Sequence, residues 1–381
     1  MNHILHHAEQ TYDAYKSADF PSRRFPPAAL DSLLQTLVGQ SCGVLSMEQR
    51  GESFEGRPIS LLRMGSGPAH ILLWSQMHGD ESTATMAIVD ILRYGVHYQA
   101  HPGVRALLSS VSMFFLPMLN PDGAERFQRR TAQGIDMNRD ALALATPEAR
   151  LLRETQAALK PQVGFNLHDQ ELSTVGQSKN LSAIALLAPA FDIAKSDNDV
   201  RLRAKRLASV FTGVLADRIP DNIARYDDSF EPRAFGDNMQ KWGTSTVLVE
   251  SGHAVNDPEK SSIRRLNVLG ILHCCDAIAT GSYLAADPAR YEQLPLNGKR
   301  AYDIIIRNAT IDHGAGRSTK ADLAISYQVD THSEPTPKLV DVGDLLPFTG
   351  LKEFDGKATR LPASVLSVGS PFAWENYVVR G

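Results

Sequence analysis

The chain has 381 residues, 43% hydrophobic and 22% charged, with a formal net charge of −4. That is the composition of an ordinary folded protein, long enough for two domains or for one large domain with an appendage. It carries no basic field to recruit nucleic acid or an anionic membrane, and three cysteines are too few for a disulfide framework. The opening stretch has no basic segment followed by an apolar one, and no apolar run nears the ~20 residues of a membrane span, so a soluble cytoplasmic protein is expected.

The first forty residues read as helical, interrupted by the proline-rich FPSRRFPPAA. Strand signals follow in CGVLSMEQRGES and RPISLLRMG, with turn residues between them. HILLWSQ is a third strand, and the sequence MHGDE carries it into a helix from Ser82. VSMFFLPML is a fourth strand, and the stretch after it, NPDGAERFQRRTAQGIDMNRD, reads as a polar loop. A helix starts at the cap signal Thr146-Pro147. Next come the strands VGFNLHD and LSAIALLAP, a helix over about 200–218, the strand STVLVESG and a helix over about 258–280. Apolar strands alternating with helices predict an α/β sheet covered by helices on both faces. Residues 287–299, with Pro288, Pro295 and Gly298, read as a linker. A larger domain over 1–290 is then followed by a small β-rich domain over 300–381, where AYDIIIRNATIDHGAG and ADLAISYQV are strand-like.

Sites in such sheets gather beyond the carboxyl ends of strands, where His78, Asn120, His168 and Glu250 all stand. His78 and Glu81 are three residues apart at a strand-to-helix turn, a spacing that lets both reach one ion. Catalytic zinc takes three nitrogen or oxygen ligands from the protein and a water, so a third ligand must come from elsewhere. His168, at another strand end, is placed to supply one. Glu250 ends an apolar strand, a costly position for a carboxylate unless it is paired or serves chemistry. Arg129, Arg130, Asn138 and Arg139 share one loop, and guanidinium groups bind carboxylates through two parallel bonds.

The pieces HGDE, NPDG, RRTAQGIDMNR, NLHD and VLVESG, in that order over roughly residues 55–280, resemble the zinc carboxypeptidase family of metallopeptidases in its compact bacterial form. The resemblance implies a mixed, largely parallel sheet and one zinc per chain, held by His78, Glu81 and His168. It implies that Asp136 orients His78 and that Asn138 and Arg139 bind a substrate's terminal carboxylate. Arg129, with Arg130 as the alternative, would stabilise the oxyanion, and Glu250 would be the general base acting on a zinc-bound water. The family's mobile tyrosine would lie some twenty residues before Glu250, and Tyr226 is near that place but out of register. The pocket for the substrate's side chain should involve RAFGDN, with Arg233 or Asp237 setting its charge. After His168 the chain has Asp169-Gln170, a departure from the family's small hydroxyl residue.

The implied activity is hydrolysis of a peptide or peptide-like amide bond next to a free carboxylate. The alternative is an N-acyl amino acid deacylase of the aspartoacylase and succinylglutamate desuccinylase type. That branch shares the HGxE motif, an Asp-x-Asn-Arg loop and an extra C-terminal β domain, whereas the full NPDG favours the peptidase. The expected partner is a peptide or N-acyl amino acid substrate, with no nucleic acid or membrane, and residues 300–381 are expected to supply no catalytic group.

Overall fold

A computed structural model describes residues 3–328 and 335–378, which belong to two compact units. The first unit runs to Gln170 and takes in Ala183–Ser251 and Glu259–Leu296. Its strands are β1 (Leu45–Glu52), β2 (Pro58–Met64), β3 (Ala69–Trp74), β4 (Val111–Leu116), β5 (Val163–Asp169), β7 (Ile184–Leu187), β8 (Ile223–Arg225) and β9 (Ser245–Ser251), while β6 (Thr174–Val175) lies in the second unit. They form one sheet in the order β1-β2-β4-β3-β5-β9-β7-β8. The central pairings β4-β3, β3-β5 and β5-β9 are parallel, as is β7-β8. The pairings β1-β2, β2-β4 and β9-β7 are antiparallel. The mixed, largely parallel sheet expected above is the one that forms.

Its central strands are apolar on both sides because both sides are covered, whereas the edge strand β1 is largely polar and exposed. Leu72 and Trp74 of β3 and Phe114 and Leu116 of β4 pack against Leu151 and Leu152 of the helix Pro147–Leu159 and against Phe235 and Met239 of the helix Phe235–Lys241. The alternate residues Ile71, Leu73, Met113, Phe115, Phe165 and Val247 point the other way and are equally buried. The helices Thr83–His97, Asp199–Ala216 and Ser261–Thr280 lie against β5, β9 and β3.

Two local readings are corrected. The polar loop after β4 begins as a helix, Pro121–Arg126: Asn120 caps it by accepting from the Gly123 N–H at 2.9 Å, and Phe127 ends it in the left-handed region. Asn-Pro-Asp-Gly serves a helix start as well as a turn, since a capping side chain followed by proline suits both. The stretch read as a linker holds a helical turn, Ala289–Glu292, and the buried Tyr291, whose hydroxyl accepts from the Ala188 N–H.

The second unit comprises Glu171–Ser182, Gly252–Pro258 and the chain from Asn297. There β6 pairs with β10 (Asn297–Gly298). A second sheet holds β11 (Ala301–Gly314), β12 (Arg317–Gln328), β13 (Thr336–Gly343) and β14 (Thr349–Asp355) in the order β13-β12-β11-β14, with β15 (Arg360–Pro362) beside β11. Ile304, Ile306, Leu323, Ile325, Leu339, Phe372 and Trp374 form its core. Among the described residues no helix is long and apolar enough to cross a membrane.

Candidate metal centre and active site

β3 stops at Trp74, and a few residues later the chain turns tightly, the Glu81 N–H donating to the His78 carbonyl at 3.2 Å. Gly79 lies inside that turn for a steric reason. A Cβ there would stand 2.0 Å from the Gly123 carbonyl carbon, and one on Gly123 would stand 2.5 Å from Asn120 Nδ2. The HGDE turn and the NPDG helix therefore meet backbone to backbone, which only glycine allows. Gly79→Ala should cost about 1–3 kcal/mol, the usual range for overpacking, and should loosen metal binding with it. Urea titration with and without metal reads both effects, and an unchanged midpoint would show that the contact yields without cost.

The turn brings His78 Nδ1 to 2.7 Å from Glu81 Oε1, and His168 at the end of β5 sets its Nδ1 2.7 Å from Glu81 Oε2. These three side chains are buried, and their ligand atoms lie within 4.8 Å of one another. His78 Nε2 is 3.1 Å from Asp136 Oδ1. Two imidazole nitrogens and a carboxylate oxygen, with one imidazole oriented from behind by a second carboxylate, are the donor set and support that zinc takes. The residues fit the metal.

Burial disfavours charge on both imidazoles, but at His78 the Glu81 and Asp136 carboxylates outweigh it and raise the pKa to about 9. At His168 burial prevails over Glu81 and the pKa falls. Burial pushes the Glu81 carboxyl up, yet the two imidazoles hold it well below the usual carboxylate range. Asp136 is likewise held low by His78 and Arg129 against its own burial.

Glu250 arrives by strand register. β5 and β9 pair His168 with Glu250 and Asn166 with Leu248, so ligand and carboxylate are direct neighbours on adjacent parallel strands. Alternation turns Asn166, His168 and Glu250 to one face and Asp169 and Ser251 to the other. Burial, then the charge of Glu81, pushes the Glu250 carboxyl up to about 8. Glu250 Oε2 and His168 Nε2 are buried without a hydrogen-bond partner among the described residues. Such atoms are costly in a folded chain unless a water, ion or ligand satisfies them.

Arg129 joins the cluster: its Nη1 is 3.1 Å from Glu81 Oε1 and 3.1 Å from His78 Nδ1, and its Nη2 is 3.1 Å from Asp136 Oδ2. Arg130 does not; it donates to its own loop's Gly134 carbonyl at 3.1 Å. Asp136 Oδ1 accepts from the Asn138 N–H at 2.9 Å, so the turn Met137–Arg139 is tied to the same carboxylate that orients His78. Asn138 Oδ1 in turn accepts from the Phe235 N–H. Arg139 Nε is 3.4 Å from Glu231 Oε2, and its Nη1 donates to the Asn138 carbonyl. Arg233 is exposed and forks onto Glu231. Asp237 is buried and accepts from the Glu231 N–H, with burial raising its carboxyl to about 6. Of the two residues weighed for pocket charge, Asp237 is the inward one.

Tyr226 is not brought to the cluster. β7 runs antiparallel to β9 and β8 runs with β7, so Leu186 is level with both Val249 and Arg225. Tyr226 continues past Arg225, away from the Glu250 end and two strand spacings, ~10 Å, to the side. Two other residues escaped the sequence reading. Asn166 is wholly buried with neither amide atom partnered among the described residues, and its signal was present: a lone polar residue two before His168 in an apolar strand. Glu231 faces Arg139 from a loop without periodicity, and nothing local marks it.

Three comparisons bear on this geometry. The zinc carboxypeptidase family model matches residues 30–162. Carboxypeptidase A2 of Rattus norvegicus is 28% identical over 124 residues, which is 28% of this chain and 30% of that protein, so the matched region spans less than a third of that relative. Probable carboxypeptidase 2 of Trichophyton verrucosum (strain HKI 0517) is 30% identical over 378 residues, covering 91% of this chain and 67% of the other. The solved structure of a metallo-carboxypeptidase from Pseudomonas aeruginosa shares the fold, with a TM-score of 0.54 at 19% identity over 68% of this chain and 70% of that one. With the Trichophyton likeness covering 91% of this chain and the His-Glu-His set in place, the chain belongs to the zinc carboxypeptidase family, whose metal is zinc.

Proposed function

We propose that the protein hydrolyses a peptide or peptide-like amide bond next to a free carboxylate. The observation that carries this reading is the joining of two devices by one side chain: Asp136 reaches His78 of the metal set and also caps the turn that presents Asn138 and Arg139. The bond to be cut and the carboxylate to be held are thereby kept at a fixed separation.

His78, Glu81 and His168 would hold the zinc, which when bound lowers the pKa of its water to about 7 and polarises a carbonyl. Arg139, with Asn138 beside it, binds the substrate's terminal carboxylate and orients the chain. Glu250 takes a proton from water onto its unpartnered Oε2 and returns it to the leaving amine. Arg129, whose half-exposed guanidinium reaches Glu81 and Asp136, donates to the charge that develops on the carbonyl oxygen. Residues 300–381 contribute no reacting group.

Arg139→Ala should weaken the binding of substrates with a free terminus by a few kcal/mol, read as a rise in KM of about 10²-fold or more. Peptides with an amidated terminus should be poor substrates for the wild type and little affected by the substitution. If the wild type cleaves free and amidated peptides alike, Arg139 is not the anchor. Turnover confined to N-succinyl or N-acetyl amino acids would instead assign the chain to the deacylases.

A further inference from the structure

The residue after each of the two central side chains is held from behind by one cation. Asp169 follows His168, Ser251 follows Glu250, and the register sets these two beside each other on β5 and β9. Lys260 donates from Nζ to Asp169 Oδ2 at 3.1 Å and to the Ser251 carbonyl at 3.1 Å. Its side chain is 3% exposed and that of Asp169 is 6% exposed. Asp169 Oδ2 also accepts from Thr83 Oγ1 at 2.6 Å and from Arg23 Nη1 at 3.0 Å. The Asp169 N–H lies 3.2 Å from Glu81 Oε2, so the anchored residue in turn orients a metal ligand.

Lys260 is not where a helix start would put a lysine for its own sake. It occupies the N-cap of Ser261–Thr280 with φ +52 and no capping bond from its side chain. N-caps favour extended backbone and short side chains that accept hydrogen bonds, and the left-handed region costs a residue with a Cβ. A buried ammonium adds a desolvation cost. Strain and burial at one residue beside an active site are the pattern of a functional constraint.

We propose that Lys260 is a positioning residue: by gripping the Asp169 carboxylate and the Ser251 carbonyl together, its ammonium sets the spacing between the ligand His168 and the base Glu250. The inference rests on the zinc hydrolase reading of the site. It also accounts for the aspartate that stands after His168. That carboxylate is turned to the reverse face of the sheet, where it meets Lys260, Thr83 and Arg23.

The test compares Lys260→Met, which keeps length and loses the charge, with Lys260→Arg, which keeps it. Four quantities are measured: zinc content after dialysis, melting temperature, the visible spectrum of the cobalt(II)-substituted protein, and kcat and KM on a dipeptide blocked at its N-terminus. Lys260→Met should alter the cobalt spectrum and lower kcat by about 10- to 100-fold with KM little changed, the usual effect of removing support behind a metal ligand. Lys260→Arg should recover most of that loss. A folded Lys260→Met protein with the wild-type spectrum and kcat overturns the proposal even if it melts earlier, because Lys260 is then a structural tie alone. If Lys260→Met does not fold, Asp169→Asn, which keeps the shape and removes the partner's charge, is read by the same criteria. If the wild type cleaves no amide, the hydrolase reading fails, and the cobalt spectrum still decides whether Lys260 positions the metal ligands.

Discussion

Glu250→Gln should keep its zinc and lose at least about 10²-fold in turnover, the usual contribution of a positioned general base. The substitution preserves shape and hydrogen-bonding length while removing the proton acceptor. Zinc should stay because Glu250 is outside the set of atoms that converge within 4.8 Å, namely those of His78, Glu81 and His168. Binding of a substrate with a free terminus should also survive, since Arg139 and Asn138 sit on the separate turn Met137–Arg139. The effect should therefore fall on kcat and leave KM nearly alone. Near-normal turnover in a zinc-loaded Glu250→Gln protein would remove the carboxylate from the mechanism. Loss of zinc would make it a ligand instead.

The other large effect is expected at the metal set itself. His168→Ala removes one of three converging donors and leaves Glu81 Oε2 facing a void where an imidazole stood 2.7 Å away. Zinc content should fall from about one per chain to near zero after dialysis, and turnover by at least about 10³-fold, because a Lewis acid worth several kcal/mol departs with the metal. Wild-type protein stripped with a chelator should lose activity to the same degree and regain it on adding zinc, whereas the variant should not. Fold damage is a weak competing explanation, since imidazole to methyl at a strand end leaves the apolar residues of β5 untouched. Far-ultraviolet dichroism separates the two. A His168→Ala protein that still binds zinc at stoichiometry would mean another residue supplies the third donor.

Much of this site is legible in the sequence, for a physical reason. Metal ligation demands particular side chains, and an α/β sheet gathers them at strand ends, so polar residues ending apolar runs, His168 and Glu250 above all, stand out against the hydrophobic pattern. What depends on side-chain direction or strand sense was not legible. Arg129 and Arg130 are adjacent and chemically equal, and only the loop's path sends one to Glu81 and the other to Gly134. The level of Tyr226 depends on β7 running antiparallel to β9, and an apolar tetrad such as Ile184–Leu187 reads the same in either direction. The helix Pro121–Arg126 was hidden by residues that start helices and turns equally well. Lys260 lies in the polar stretch DPEKSS, whose composition describes a surface, and tertiary packing alone buries it. The grouping of 171–182 and 252–258 with the C-terminal sheet is likewise a property of packing at long range.

The pairing of His168 with Glu250 across β5 and β9 makes turnover a report on the folding history of each molecule. A slip of one residue between these strands would set Val249 or Ser251 opposite His168 and rotate the carboxylate to the far side of the sheet. Such a chain could keep its helices, much of its compactness and even its metal, and would look native to dichroism or light scattering. It would hydrolyse nothing. In a refolding experiment, the fraction of recovered activity per bound zinc therefore counts the chains that chose the correct alignment. The enzyme's own chemistry thus serves as a proofreader's mark that bulk measures of structure do not provide.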